Sequence, residues 1–253
     1  MAKMKKIIVA GPLVKEAIYP IGARFDGPKV RAGKRKLSSE AQQRMNAVYS
    51  WQKLELMLAA NFMPGDPVIV LTYDDAHLPR SRAEAQAKLK YFRAKLAKAR
   101  AARGQKLVMF WNEEHSHHNR DELQDGRWHH HCIINATGED FKELARLWGQ
   151  GDVLIAPLRV DGEKNYATLA RYMCKEARDK PGQRSWSYTR SAKKPEVETF
   201  RVDDDTTIAA PKGSVVLEDS ASRTEYGSYR YIKYISARIP RRPGTHARRK
   251  RKK

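Results

Sequence analysis

Three consecutive histidines, in Trp128-His129-His130-His131-Cys132-Ile133-Ile134, open an apolar, partly β-branched run. Side chains of a strand alternate between its two faces. His129 and His131 therefore stand side by side on one surface, while His130 joins Cys132 on the other. Two imidazoles aimed at one point are most of a metal site. Six of the chain's eight histidines fall between His115 and His131, and three adjacent ones are an expensive way to build a core. The run demands a strand with one chemically active face and a neighbouring strand that completes it.

Charge narrows the partners. The formal net charge is +21 and the isoelectric point is near 10.0, an excess that points to a polyanion, nucleic acid ahead of membrane. No apolar stretch approaches the roughly 20 residues of a membrane span. The opening Met1-Ala2-Lys3-Met4-Lys5-Lys6-Ile7-Ile8-Val9-Ala10 is followed by Lys15 and Glu16 and reads as a strand rather than a signal peptide. Cys132 and Cys174, both on predicted regular elements, make no disulfide framework, which fits a reducing, cytoplasmic setting in a host cell.

The 253 residues suffice for one large or two small domains. Residues 20–37, with Gly22, Gly27, Pro28, Gly33, Arg31, Lys34, Arg35 and Lys36, read as a flexible basic arm. Ser39-x-x-Gln42 makes a capping box for a helix whose stripe is Ala41, Met45, Val48, Trp51, Leu54 and Leu58. Val68 to Tyr73 is a short buried strand. Ser81-x-x-Glu84 caps a second helix with Ala85, Leu89, Phe92, Leu96 and Ala99 inside and Lys88, Lys90, Arg93, Lys95, Lys98 and Arg100 outside. Lys106 to Glu113 is a strand, His115 to Gly126 a polar loop, and Arg127 to Asn135 the histidine strand.

Thr137 opens a short helix burying Phe141, Leu144 and Trp148, and Asp152 to Leu158 is another strand. A helix from about Lys164 to Arg178 carries Tyr166, Leu169, Met173 and Ala177 on one face. Short strands at 201–208, 213–217 and 226–238 follow, and 240–253 ends in six consecutive basic residues that bury nothing. The expected fold is α+β, a central antiparallel sheet of about five strands flanked by helices. It divides into an N-terminal strand and basic arm (1–37), a main domain with a C-terminal strand extension (38–239) and a disordered basic tail (240–253).

A third ligand for the His129/His131 pair should come from the strand before it. Glu113 ends that strand, and a hairpin through the polar loop brings it beside the histidines; Glu114 competes, because a one-residue shift of register exchanges their faces. Two imidazoles and a carboxylate leave coordination positions open for phosphate oxygens and water. With no cysteine nearby, His115, His117 and His118 make a poor separate zinc site. In Thr168-Leu169-Ala170-Arg171-Tyr172-Met173-Cys174-Lys175, Met173 lies at the centre of the apolar stripe, Tyr172 on its flank and Lys175 one turn onward.

This set of motifs resembles the HUH family of single-strand endonucleases, and within it the initiators of rolling-circle replication in plasmids and small single-stranded DNA phages. Val70-Leu71-Thr72-Tyr73-Asp74-Asp75-x-x-Leu78-Pro79, Glu113, Gly126-Arg127-x-His129-x-His131, Trp148-x-x-Gly151 and Arg171-Tyr172-x-x-Lys175 follow in the family's order. Asn46 and Asn61-Phe62-x-x-Gly65-Asp66 are similar to the plasmid-type subgroup. The resemblance covers about residues 38 to 195. It departs at His130, where the family usually has an apolar residue, and at Thr168, which stands where some phage relatives carry a second tyrosine.

The resemblance implies an HUH-like domain, a Mg²⁺ or Mn²⁺ cofactor, a single nucleophile Tyr172 assisted by Lys175, and a 5′-phosphotyrosine with a free 3′-hydroxyl. The implied substrate is single-stranded DNA at a replication origin. Arg127, Arg171, Lys88, Arg93 and the tail residues Arg248 and Arg249 are the candidate nucleic-acid contacts, with Trp186 and Tyr188 as stacking aromatics or, for at least one of the two, a core packing residue. No Gly-x-x-x-x-Gly-Lys-Ser/Thr loop occurs, so unwinding needs a host helicase and synthesis a host polymerase. The competing readings are a non-catalytic basic nucleic-acid binder and an Fe(II) oxygenase, which also uses two histidines and a carboxylate.

Overall fold

The structure is a computed structural model, and the residues described are 3–21, 39–116, 126–138, 141–162, 165–175, 184–225 and 227–237. Residues 22–37 of the expected arm, His117, His118, Arg248, Arg249 and residues 240–253 lie outside them. Contacts divide the chain into two compact units. One comprises Val30–Gly162 and Tyr166–Lys193; the other comprises Met1–Lys29, Glu163–Asn165 and Lys194–Lys253.

In the first unit, helix α1 (Glu40–Asn61) starts where the Ser39 hydroxyl accepts the Gln42 N–H at 3.3 Å. Such a cap contributes about 1 kcal/mol. Strand β3 (Pro67–Leu71) follows, then helix α2 (Arg82–Ala101), capped in the same way by Ser81 and Glu84 at 3.2 Å. Strands β4 (Met109–Ser116) and β5 (Arg127–Ile134), helix α3 (Phe141–Trp148), strand β6 (Val153–Pro157), helix α4 (Ala167–Met173) and the short strand β7 (Ser187–Tyr188) complete it. The five strands form one antiparallel sheet in the order β6-β3-β5-β4-β7.

The two faces of this sheet differ. One buries Ile69, Leu71, Met109, Trp111, Cys132 and Ile134 against Leu89, Phe92 and Leu96 of α2 and Leu144, Leu147 and Trp148 of α3. On the other face, Phe110 meets Phe62 edge-on at 5.2 Å and stacks on Trp186 and Tyr188 at 6.0 and 5.5 Å. Trp186 and Tyr188 are therefore packing residues rather than free stacking platforms, Trp186 being tied to Ser50 through its indole N–H at 3.1 Å.

The α1 stripe is only half realised. Leu54 and Leu58 are buried, but Met45 and Val48 are exposed and Trp51 lies under the Arg171 guanidinium at 4.5 Å. Two residues of the expected cationic face of α2 also turn inward. Arg93 stacks on the Trp111 ring at 3.8 Å, and Arg100 is fully buried, donating to the Asn135 carbonyl at 3.0 Å.

The second unit corrects the expectation of a single central sheet. The hairpin β1 (Lys3–Ala10) and β2 (Leu13–Pro20) joins β8 (Glu196–Val202), β9 (Val215–Thr224) and β10 (Gly227–Ile235) in a second five-stranded antiparallel sheet, order β8-β1-β2-β10-β9. Its core gathers Val14, Ile18, Ile208, Ile232 and Tyr234. Pairing across nearly the whole chain leaves no local signal, so the first strands and the last could not be joined by pattern. The fold class, α+β with antiparallel sheets, stands.

Candidate metal and tyrosine site

The site grows from the β4–β5 register. Glu114 lies opposite His129, Asn112 opposite His131, and Glu113 opposite His130. Facing residues of an antiparallel pair share a face. Glu114, and not Glu113, therefore stands with the two histidines. Their ligand atoms all lie within 4.8 Å of one another, with Glu114 Oε2 2.9 Å from His131 Nε2 and 3.5 Å from His129 Nε2. Glu113 turns to the α2 side, where it accepts from Arg82 at 3.1 Å and Gln86 at 3.2 Å.

His130 is the structural member of the triplet. It is fully buried, its Nε2 lies 2.7 Å from the Tyr73 hydroxyl, and the Tyr73 ring is edge-on to it. Burial, with help from the two flanking imidazoles, pulls its pKa down to about 3. The imidazole is thus held neutral, with Nε2 hydrogen-bonded and Nδ1 without a partner among the described residues. Tyr73 is itself held through its backbone. The Trp148 indole donates to Thr72 O at 2.8 Å, and Gly151 lets its loop approach so closely that a Cβ there would lie 2.6 Å from Thr72 O.

Helix α4 delivers the phenol. Tyr166 at its start donates to Phe62 O at 3.4 Å, and Arg171 covers Trp51, both tying α4 to α1. Met173 and Ala170 face inward, which leaves Tyr172 on the flank, 41 % exposed. Its hydroxyl is 3.2 Å from His131 Nε2 and 3.4 Å from Glu114 Oε2. The Lys175 ammonium lies 4.1 Å over the Tyr172 ring and 2.8 Å from Glu114 Oε1.

Electrostatics fit the geometry. Burial alone would raise the Glu114 pKa, but the Lys175 hydrogen bond and the two imidazoles hold it below the ordinary carboxylate value. For Lys175, partial burial is outweighed by Glu114, and the ammonium is held above its usual value. Burial and His129 pull His131 below the usual imidazole value despite Glu114. An ionised Glu114 carboxylate beside a His131 imidazole held toward its neutral form is the protonation state a divalent cation requires. Two imidazole nitrogens and a carboxylate oxygen converging on a buried patch fit such an ion.

The remaining sequence candidates separate. Arg127 donates to Tyr73 O at 3.1 Å and pairs with Asp75 at 2.6 Å, beside a groove of about 400 Å³ that also touches His129. Lys88 is half-buried, bonded to His77 O at 2.9 Å and 3.6 Å from Glu84. The partly buried Arg93 guanidinium lies against the Trp111 ring. His115 packs its ring on Trp128 at 4.6 Å, one rung from Glu114 and His129 but on the opposite face of the strand pair. Asn112, buried beside His131, is a residue that sequence reasoning missed, although its i−2 spacing from Glu114 on a strand already placed it on the same face.

Residues 66–177 match the family model for the Replication-associated protein ORF2. That stretch runs from β3 through α4 and so contains every residue of the site. Among curated proteins nothing matches the chain, and among solved structures nothing does. Among the described residues no helix is long and apolar enough to cross a membrane.

Proposed function

From the match of residues 66–177 to a replication-associated family model, we propose that the chain is a single-tyrosine, metal-dependent DNA endonuclease and strand transferase that nicks a replication origin to start rolling-circle synthesis. The observation that carries this reading is the Tyr172 hydroxyl at 3.2 Å from His131 Nε2, beside a Glu114/His129/His131 cluster. His129, His131 and Glu114 would hold Mg²⁺ or Mn²⁺, which when bound supplies Lewis acidity at the scissile phosphate.

The residues of the chain do the rest. Tyr172 Oη attacks phosphorus and loses its proton; a P–Oη bond forms, the bond from phosphorus to the 3′ oxygen breaks, and that oxygen leaves as a protonated 3′-hydroxyl. A free phenol is a weak nucleophile, with a pKa near 10. Lys175, whose ammonium lies against the Tyr172 ring, steadies the charge that develops on the phosphate. The phosphotyrosine keeps a phosphodiester linkage, so attack by a 3′-hydroxyl on the same bond rejoins strands. Arg127, Arg171 and Lys88, with the Arg248/Arg249 tail, supply phosphate contacts that make binding fall steeply with salt. A host helicase and polymerase complete the cycle in a cytoplasmic setting.

The test is a covalent adduct. Single-stranded DNA carrying the cognate origin, incubated with the protein and Mn²⁺, should give a band that survives SDS. Tyr172→Phe should abolish it, and His129→Ala should reduce it by about 100-fold or more, a loss on the scale of removing a principal charge-stabilising group. Metal-independent DNA binding with no adduct would assign the protein to the non-catalytic basic binders.

A further inference from the structure

We infer that Asn112 belongs to the ligand set of this centre, its Oδ1 completing the shell of the divalent cation; the inference rests on reading Glu114, His129 and His131 as a cation site. The β4–β5 register makes a two-by-two block of side chains on one face, Glu114 opposite His129 and Asn112 opposite His131. Directly opposed Cβ atoms in such a pair are about 4.5–5.5 Å apart. Asn112 is within one same-face position of every ligand.

Its polar atoms have nothing else to do. Asn112 is 2 % exposed, and among the described residues neither Oδ1 nor Nδ2 has a hydrogen-bond partner. Buried side-chain amides are nearly always satisfied, because an unmade bond leaves the full desolvation penalty. A leucine or valine would serve packing better at that point of the sheet. A buried amide whose two polar atoms find no protein partner, beside three ligand groups, is explained when the amide is part of the site.

The chemistry also selects the ion. Two imidazoles and one carboxylate suit several transition metals, and on nitrogen donors alone copper and zinc bind more tightly than manganese. A neutral amide oxygen balances the set toward hard, oxygen-seeking cations of higher coordination number. Asn112 is thus a selectivity residue as well as a ligand.

The inference makes stability and affinity move in opposite directions. Without metal, Asn112→Leu removes the unsatisfied amide and should raise the unfolding midpoint by about 3 °C. The same variant should bind Mn²⁺ about 10–100-fold more weakly, measured by calorimetry on the full chain without DNA. Asn112→Asp, which keeps the shape and adds charge, should bind Mn²⁺ at least as tightly as the parent. A lower midpoint for Asn112→Leu with unchanged Mn²⁺ affinity would make Asn112 an ordinary structural amide and overturn the inference, as would weaker binding in Asn112→Asp. His129→Ala is the control. If the parent binds no Mn²⁺, the cation site itself fails and this inference with it. If His129→Ala loses binding while both Asn112 variants keep it, only this inference fails.

Discussion

The Tyr172 phenol oxygen and Nε2 of His131 are 3.2 Å apart although they come from a helix and a strand and are 41 residues apart in the chain. The proposed nucleophile already stands at the candidate metal site, with no rearrangement needed to bring it there. Tyr172→Phe should therefore separate chemistry from folding. Its two hydrogen bonds are long and partly solvated, so the loss of stability should stay within about 0.5 kcal/mol. Mn²⁺ affinity should hold while the adduct vanishes. A fall in both together would make Tyr172 a structural residue.

Adjacent glutamates should respond in opposite ways. Glu114→Gln removes the one charged ligand and should weaken Mn²⁺ binding by about 10–100-fold or more. Glu113→Gln weakens a contact with Arg82, costs about 1 kcal/mol or less, and should leave the metal affinity where it was. Parallel titrations of the two variants check this; equal losses would mean that the β4–β5 register in solution differs.

Stability should fall in mild acid because of His130. Its folded pKa lies near 3, against 6.5 for the ordinary imidazole. Between those values the unfolded chain binds a proton that the folded chain does not, so stability rises with pH across the window and is lost as pH drops from about 6.5 toward 3. Glu114, depressed in the folded state, adds to the loss once pH falls below its ordinary range. His130→Leu should flatten the upper part of this dependence in melts recorded from about pH 7 to 4. An unchanged slope would place the acid sensitivity elsewhere.

Two glycines with positive φ should differ in cost. A Cβ at Gly151 meets Thr72 O at 2.6 Å and Asp74 N at 2.7 Å, and both are backbone atoms that cannot step aside. Gly151→Ala should cost about 2 kcal/mol or more and lower the melting temperature by about 4–8 °C. At Gly65, φ is +98° but the space is open, so Gly65→Ala should cost only about 1 kcal/mol, the strain of the backbone alone. Equal melting temperatures for the two variants would remove Gly151 as a spacer.

Local chemistry was legible in the chain; tertiary choice was not. Ser39 and Ser81 cap helices where their spacing to Gln42 and Glu84 said they would, and alternation placed His129 and His131 together. Alternation alone could not decide between Glu113 and Glu114, because a single residue of register exchanges the faces and the turn that fixes it lies in a long polar stretch. Arg93 and Arg100 looked like solvated charges by helical period. Each turns back to a specific partner, Trp111 or Asn135, that comes from a distant strand or its end. The front half of α1 has a core-like stripe, yet Met45 and Val48 remain exposed. Amphipathicity reports what a helix could bury, and the tertiary contacts decide what it does bury.

The second sheet has a consequence for the order of assembly. Its β1–β2 hairpin is translated well before the strands that flank it, β8 and β10, which are made only after residue 195. Synthesis at roughly 5–20 residues per second keeps the hairpin waiting on the order of ten seconds or more. The strands bearing His129, His131 and Glu114 are all translated within that interval. The sheet that carries the histidines is thus free to mature while the β1–β2 hairpin still waits for β8 and β10.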